Sequence, residues 1–341
     1  MRTLCFGEML LRLSPADHLR IEQASAFDAR YGGAEANVAL SLALQGDDAA
    51  YLSVIPANRI GDCAVRSLAM WGVDTSRVIR SGDRLGVYFM EFGASERPNA
   101  VVYDRKYSAI SLATPDQYDW DAILDGIDLF YFSGVTPALG ENCVEALLDG
   151  LKACRARGIT VACDLNYRGK LWAPAHAQAV MRELLPFADI VFAHDEDASA
   201  TLGITNGSGS LEHGIEERDS YVKTAREICA TYGCKTVASV IRNIQNVNRS
   251  QWMAMLYDAA SDEHWYSPVH DVHVLEGVAA GDAFGAGLLH ALAADMAPQE
   301  AVDYAIAASV LKLTIRGDSN LVTADEIAAV AGRGSGTRVA R

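Results

Sequence analysis

The stretch Ala279-Ala280-Gly281-Asp282-Ala283-Phe284 sets a carboxylate at the start of an apolar helix that continues through Gly285–Ala294. Small residues at a helix start let backbone N–H groups approach an anion, and the helix dipole favours negative charge there. A carboxylate at such a point suits a base that works on whatever group attacks the anion. The competing reading is a helix N-cap, which contributes roughly 0.5–2 kcal/mol. A second small-residue helix, Val38–Leu44, follows Tyr31-Gly32-Gly33-Ala34-Glu35-Ala36-Asn37. Its glycine pair suits close backbone approach to a ligand, or simply a turn.

Three polar clusters follow apolar runs: Asp164-Leu165-Asn166-Tyr167-Arg168, His194-Asp195-Glu196-Asp197 and Arg242-Asn243. In open α/β sheets, ligands bind beyond the carboxyl ends of the strands. One such cluster reads as a solvated turn, whereas three in succession predict a shared cleft. Other chemistries lack their patterns. There is no G-x-x-x-x-G-K-[ST], no G-x-G-x-x-G after the first strand and no H-E-x-x-H. The P-loop, dinucleotide-binding and zinc-protease readings therefore fall away.

The elements that must position these residues are legible in the periodicity. Ile127–Ser133, Ile159–Leu165, Asp189–Ala193 and Thr236–Ile241 read as buried parallel strands, spaced mostly as βαβ units. Val144, Leu147, Leu148, Leu151 and Cys154 trace one helix face, and Gly158 stops that helix. Right-handed crossovers then give an α/β fold, a doubly wound and mainly parallel sheet flanked by helices. Arg84–Gly93 and Asn99–Arg105 instead alternate like an exposed hairpin. With strands near 10–14 and 26–31 they predict a small β-rich lid, formed by about residues 10–31 and 84–110. Thr205–Asp219 reads as a polar loop insertion, and 331–341 as a frayed tail to a domain spanning 1–330.

Composition narrows the partners. The chain has 341 residues, 50% of them hydrophobic, with 29 Lys and Arg against 44 Asp and Glu, for a net charge of −15. An acidic surface repels nucleic-acid backbones and anionic lipid, so any anionic ligand must be held by locally placed cations or backbone amides. Seven cysteines with no C-x-x-C spacing read as reduced thiols, and with no signal peptide legible the expected location is cytoplasmic.

Taken together, the chain resembles the ribokinase-like (PfkB) carbohydrate kinases over nearly its whole length, on the 2-keto-3-deoxygluconate kinase branch. The resemblance is carried by Gly7–Pro15 (GEMLLRLSP), Tyr31–Ala39 (YGGAEANVA), Arg84–Ala94 (RLGVYFMEFGA) and Val101–Ala109 (VVYDRKYSA). It continues in Ser133–Leu139, Asp164–Trp172 (DLNYRGKLW), Ala279–Leu288 (AAGDAFGAGL) and Ala307–Val322. It implies transfer of a phosphoryl group from ATP, with Mg2+, to a sugar-acid hydroxyl. By analogy Asp282 is the base, and the backbone of Ala279, Ala280 and Gly281 forms an anion hole. Gly33, Asn37, Tyr88, Tyr103, Arg105 and Arg168 would hold the sugar acid. Asn166, His194 and Arg242 would face the nucleotide, and Asp195, Glu196 and Asp197 the metal. A monovalent cation is a further candidate cofactor, and lid strands imply a homodimer.

Departures gather on the nucleotide side. Where relatives carry D-x-x-G-[AG]-G-D this chain has Glu276-Gly277-Val278-Ala279-Ala280-Gly281-Asp282, and His194-Asp-Glu-Asp197 stands for N-E-E-[DE]. At Ala279 a positive φ becomes costly. The alternatives are a fructokinase-like enzyme and a sugar-acid-binding protein with weakened kinase activity.

Overall fold

A computed structural model describes residues 1–332; of the tail expected to fray, 331–341, Ala331 ends the helix Ala324–Ala331 and 333–341 lie outside the described residues. Its centre is a nine-stranded sheet. Six strands run parallel in the spatial order Asp48–Leu52, Arg2–Phe6, Leu129–Ser133, Thr160–Asp164, Ile190–Phe192, Thr236–Asn246. Beyond them the sheet turns antiparallel through Arg249–Asp258, which pairs with Glu263–Tyr266 and with His270–His273. The strand expected at Thr236–Ile241 thus runs five residues further, because Arg249–Asp258 supplies it with a full antiparallel partner.

Strand periodicity divides the core into two layers. Leu4, Phe6, Phe130, Phe132, Val161 and Cys163 face one side of the sheet. Their neighbours Cys5, Leu129, Tyr131 and Ala162 face the other. Successive side chains of a strand point to opposite faces, so a strand buried on both sides is apolar throughout. The first layer is closed by helices Glu141–Arg157, Pro174–Leu184 and Arg218–Tyr232. Helices Ala34–Leu44, Ala280–Ala293 and Pro298–Lys312 close the second. Gly158 ends the first of these helices in the left-handed conformation, φ 70°. The polar insertion ends at Glu217, since Arg218 and Asp219 already open the next helix.

Four further strands form a separate sheet in the order Asp28–Gly32, Leu10–Ser14, Gly86–Glu91, Ala100–Asp104, and Val54–Ile55 pairs with Ile79–Arg80 in a small two-stranded one. Leu10–Ser14 pairs parallel with Gly86–Glu91, and the two outer pairings are antiparallel. Among the described residues no helix is long and apolar enough to cross a membrane.

Candidate active site

The carboxyl ends of the parallel strands open into a cleft of about 580 Å³, and the small sheet forms its opposite wall. Asp164, Asn166, Arg168, His194, Glu196 and Asp197 come from two strand ends, and Arg242 from within the lengthened strand Thr236–Asn246. Tyr88, Tyr103 and Arg105 come from the small sheet, and Gly33, Asn37 and Ala279–Asp282 from the two small-residue helix starts.

Asp282 is the third residue of its helix, not its cap. Ala279 holds the N-cap position, where no side chain caps the free amides. The first N–H groups of a helix have no intrahelical acceptor, so those of Ala280, Gly281 and Asp282 are left for a ligand. Ala279 sits at φ 63°, ψ 14°, a left-handed conformation disfavoured for a residue with a Cβ. Asp282 is buried, and Asn37 Nδ2 donates to its Oδ2 at 2.7 Å. Burial pushes its carboxyl up to about 6, opposed by the Asn37 hydrogen bond and the positive charge of Arg168. That value leaves it ionised at neutral pH yet able to accept a proton.

The glycine pair serves the chain's own packing as well as the cleft. A Cβ on Gly33 would lie 2.0 Å from the Glu8 carbonyl, and one on Gly32 would lie 2.6 Å from the Asp318 side chain. Only glycine lets the Ala34–Leu44 helix start so close to that backbone and bring Asn37 to Asp282.

The two arginines expected to hold an anionic substrate differ in state. Arg105 is buried, with its Nε donating to Glu8 Oε2 at 2.9 Å and its Nη2 to the same oxygen, while Ser108 donates to Glu8 Oε1. Its charge is therefore already balanced. Arg168 is exposed to the cleft, and its guanidinium makes no ion pair or hydrogen bond among the described residues. Tyr88 donates to Asp318 Oδ1 at 2.9 Å, and its ring lies 6.0 Å from that of Tyr103.

On the other side His194 Nδ1 donates to the Val240 carbonyl at 2.8 Å. Burial and the Arg242 charge push its imidazole down to about 4, so the ring is neutral and Nε2 can only accept. Arg242 stacks 5.6 Å from the Trp252 ring centre, and Asn166 is left-handed at φ 35°. The three acidic residues after the strand Ile190–Phe192 point three ways. Asp195 turns away from the large cleft, accepting hydrogen bonds from Ser220 at 2.6 Å and Thr224 at 3.1 Å. Its place at the first turn of Asp195–Leu202 points it at helix Arg218–Tyr232, which corrects its expected grouping with the metal. Asp197 caps the Tyr167 amide at 3.0 Å, and Glu196 remains the freest carboxylate on the cleft. Among the described residues no three His, Cys, Asp or Glu side chains gather as a metal-holding group. Magnesium needs only one or two protein carboxylates beside phosphate oxygens, so Glu196 and Asp197 still fit it.

The sequence reading missed the buried charges behind this wall. Arg12 pairs with Glu276 at 2.5 Å and with Asp318 at 3.2 Å, and Lys312 is buried beside them. One signal was available: Arg12 interrupts the strand Leu10–Ser14 on the face shared by Leu10 and Ser14, where a solvent-facing charge would not be expected.

The chain matches the pfkB family carbohydrate kinases over residues 2–325. It is 33% identical to a 2-dehydro-3-deoxygalactonokinase of Haloferax volcanii, over 94% of each chain. It is 25% identical to a 2-dehydro-3-deoxygluconokinase of Bacillus subtilis, over 95% of this chain and 93% of that one. The crystal structure of a 2-dehydro-3-deoxygluconokinase from Thermotoga maritima superposes with a TM-score of 0.93 at 41% identity, covering 97% of this chain and 99% of that one. On this whole-length likeness, the chain belongs to the pfkB family of carbohydrate kinases.

Proposed function

We propose that this kinase moves the γ-phosphoryl group of ATP to a hydroxyl of a 2-keto-3-deoxy sugar acid. The observation that carries the reading is Arg168: an unengaged guanidinium shares one cleft with Asp282 in a protein of net charge −15. A neutral sugar needs no such cation, whereas a carboxylate can take two parallel hydrogen bonds from it. The names of the Haloferax and Thermotoga relatives differ in sugar configuration and share the 2-keto-3-deoxy acid, and that shared class is the substrate proposed here.

Arg168 orients the acid so that its reacting hydroxyl meets Asp282. Asn37 holds one carboxylate oxygen of Asp282, leaving the other to take the hydroxyl proton. The sugar oxygen forms the new bond to γ-phosphorus, the bond to the β-phosphate bridging oxygen breaks, and its electron pair leaves on ADP. Amides at the start of Ala280–Ala293 stabilise the charge on the transferring group. Magnesium, when bound with the nucleotide, neutralises phosphate charge, and Glu196 and Asp197 are the residues that would hold it. Tyr88 and Tyr103 on the small sheet shield the reacting atoms from water.

Turnover with 2-keto-3-deoxygluconate, 2-keto-3-deoxygalactonate and fructose tests the proposal, in wild type and in Arg168→Met. Sugar acids are expected to be the better substrates. Loss of the charge-assisted pair, about 1.5–3 kcal/mol, raises their KM roughly ten- to hundred-fold and leaves the KM for fructose unchanged. Equal kcat/KM for fructose and the acids in wild type would overturn the sugar-acid reading. Tight sugar-acid binding without turnover would leave a binding protein.

A further inference from the structure

Helix Arg218–Tyr232 stops at Gly233, left-handed at φ 81°, whose amide donates to the Cys229 carbonyl at 2.9 Å. A helix ended by a left-handed glycine commonly packs the residue that follows against its own last turn. Here those two residues are Cys229 and Cys234, and their Sγ atoms lie 3.2 Å apart. A disulfide bond is about 2.05 Å long, so an approach of about 1 Å joins the sulfurs. An apolar contact at a helix cap needs no thiol. Two thiols within hydrogen-bond distance add a redox chemistry to it.

No other group competes for this pair. Among the described residues no other two thiols are hydrogen-bonded, and no three His, Cys, Asp or Glu side chains gather to hold a metal. Both cysteines belong to the apolar layer that this helix closes, and neither lines the cleft. Cys229 is the more accessible, 8% exposed against 2% for Cys234. The hydrogen bond from Cys234 holds the Cys229 thiol below its usual value, against burial and the charge of Asp258. The same bond, with burial, pushes the Cys234 thiol up. Cys229 is therefore the nucleophile and Cys234 the thiol that resolves.

We propose that Cys229 and Cys234 form a reversible dithiol site, which a peroxide oxidises to a disulfide across the helix cap. The Cys229 thiolate attacks one oxygen of hydrogen peroxide, the O–O bond breaks, and its electron pair leaves on hydroxide, which takes up the proton that Cys229 gave. Cys229 is then a sulfenic acid. Cys234 Sγ attacks that sulfur, the S–S bond forms, the S–O bond breaks, and the hydroxide leaves as water with the Cys234 proton. Two thiols lose two electrons in all, and one peroxide becomes two waters. Because Cys234 is already in contact, the sulfenic acid is trapped before a second peroxide carries it to the irreversible sulfinic acid. The site is separate from phosphoryl transfer, and its test reads no kinase activity.

Reduced protein is treated with hydrogen peroxide, its remaining thiols are alkylated with iodoacetamide, and the chain is cut with trypsin. Arg226 and Lys235 bracket one peptide, Glu227–Lys235, which holds both cysteines and no third. By mass spectrometry it is expected unalkylated and lighter by two hydrogens, and dithiothreitol beforehand restores two alkylated sites. In Cys234→Ser, sulfinic acid at Cys229 is expected to accumulate roughly tenfold or more above wild type, since nothing traps the sulfenic acid. Full alkylation of Glu227–Lys235 at a peroxide dose that oxidises the half-buried Cys63 overturns the proposal. So does a disulfide from Cys229 to any cysteine other than Cys234. Equal sulfinic acid in wild type and variant overturns it as well. If Cys234→Ser does not fold, the wild-type peptide decides alone.

Discussion

At the scale of single residues, Asp282 trades stability for chemistry. Its carboxyl is pushed up to about 6 by burial, above the unfolded value near 4. A carboxyl raised on folding favours the folded chain's protonated form, so ionisation destabilises the fold above about pH 6 and has no effect below pH 4. Asp282→Asn keeps an oxygen for the Asn37 hydrogen bond and removes that charge. It is expected to raise the melting temperature at pH 8, by a free energy on the order of 2–3 kcal/mol, and to leave it unchanged at pH 4. Its kcat falls roughly 10²–10⁴-fold, as for loss of a general base. Calorimetry and turnover on the same preparation check both; activity that survives would return Asp282 to a structural role. Ala279 is a second residue-scale case. Its φ of 63° costs about 1–2 kcal/mol relative to glycine in that conformation, partly offset by the freer unfolded chain that glycine gives. Ala279→Gly is expected to raise the melting temperature by about 1–2 °C and lower the KM for ATP. A lower melting temperature would show that the left-handed backbone is not strained.

At the scale of elements, the helices Ala280–Ala293 and Pro298–Lys312 approach through small side chains. A Cβ on Gly287 would lie 2.9 Å from Ala308 Cβ and 3.1 Å from Ala305 Cα. Gly287→Val must push the two helices apart, an overpacking of about 1–3 kcal/mol. Because Ser309 reaches the Ala280 carbonyl across this seam, turnover falls along with stability. Gly277→Ala is the control for stability, since its Cβ would meet only Val274, at 4.0 Å. Urea unfolding midpoints compare the two; equal midpoints would mean that the helices yield without strain. This seam explains why the sequence between 280 and 310 is so rich in alanine and glycine. Small residues there serve helix contact.

For the whole molecule, the buried acids set the response to pH. Glu35 lies between the Ala34–Leu44 helix and the Leu129–Ser133 strand end, accepting from the Ser133 amide and hydroxyl and from Thr136. Burial pushes its carboxyl up to about 7. Asp164, Asp197 and Asp318 are raised too, each chiefly by burial. With Asp282, these groups bind protons more tightly when folded, so between about pH 4 and 7 stability falls as pH rises. His194, pushed down to about 4, and His270, also lowered chiefly by burial, act in the opposite sense over part of that range. The melting temperature is therefore expected to be higher near pH 5.5 than at pH 8, and the net charge of −15 adds repulsion in the same direction. A calorimetric series that rises from pH 5.5 to 8 would contradict this.

The parallel strands, the two small-residue helix starts and the cleft at the strand ends were all legible in the chain, because periodicity and helix termini are local properties of a sequence. Asp282, Arg168 and His194 could be found for the same reason, since each directly follows a recognisable strand end or helix start. The pairing partners could not be found this way. Arg105 meets Glu8 across 97 residues and Arg12 meets Glu276 across 264. Whether an arginine is free for a ligand or neutralised by a carboxylate depends on which side chains the fold brings within about 3 Å. No spacing along the chain encodes that distance. Asp195 shows the same limit over a shorter reach, adjoining Glu196 in sequence while the helix turn points it at Ser220 instead of the large cleft. Local patterns determined where the chemistry could sit; packing decided which charges remain available to perform it.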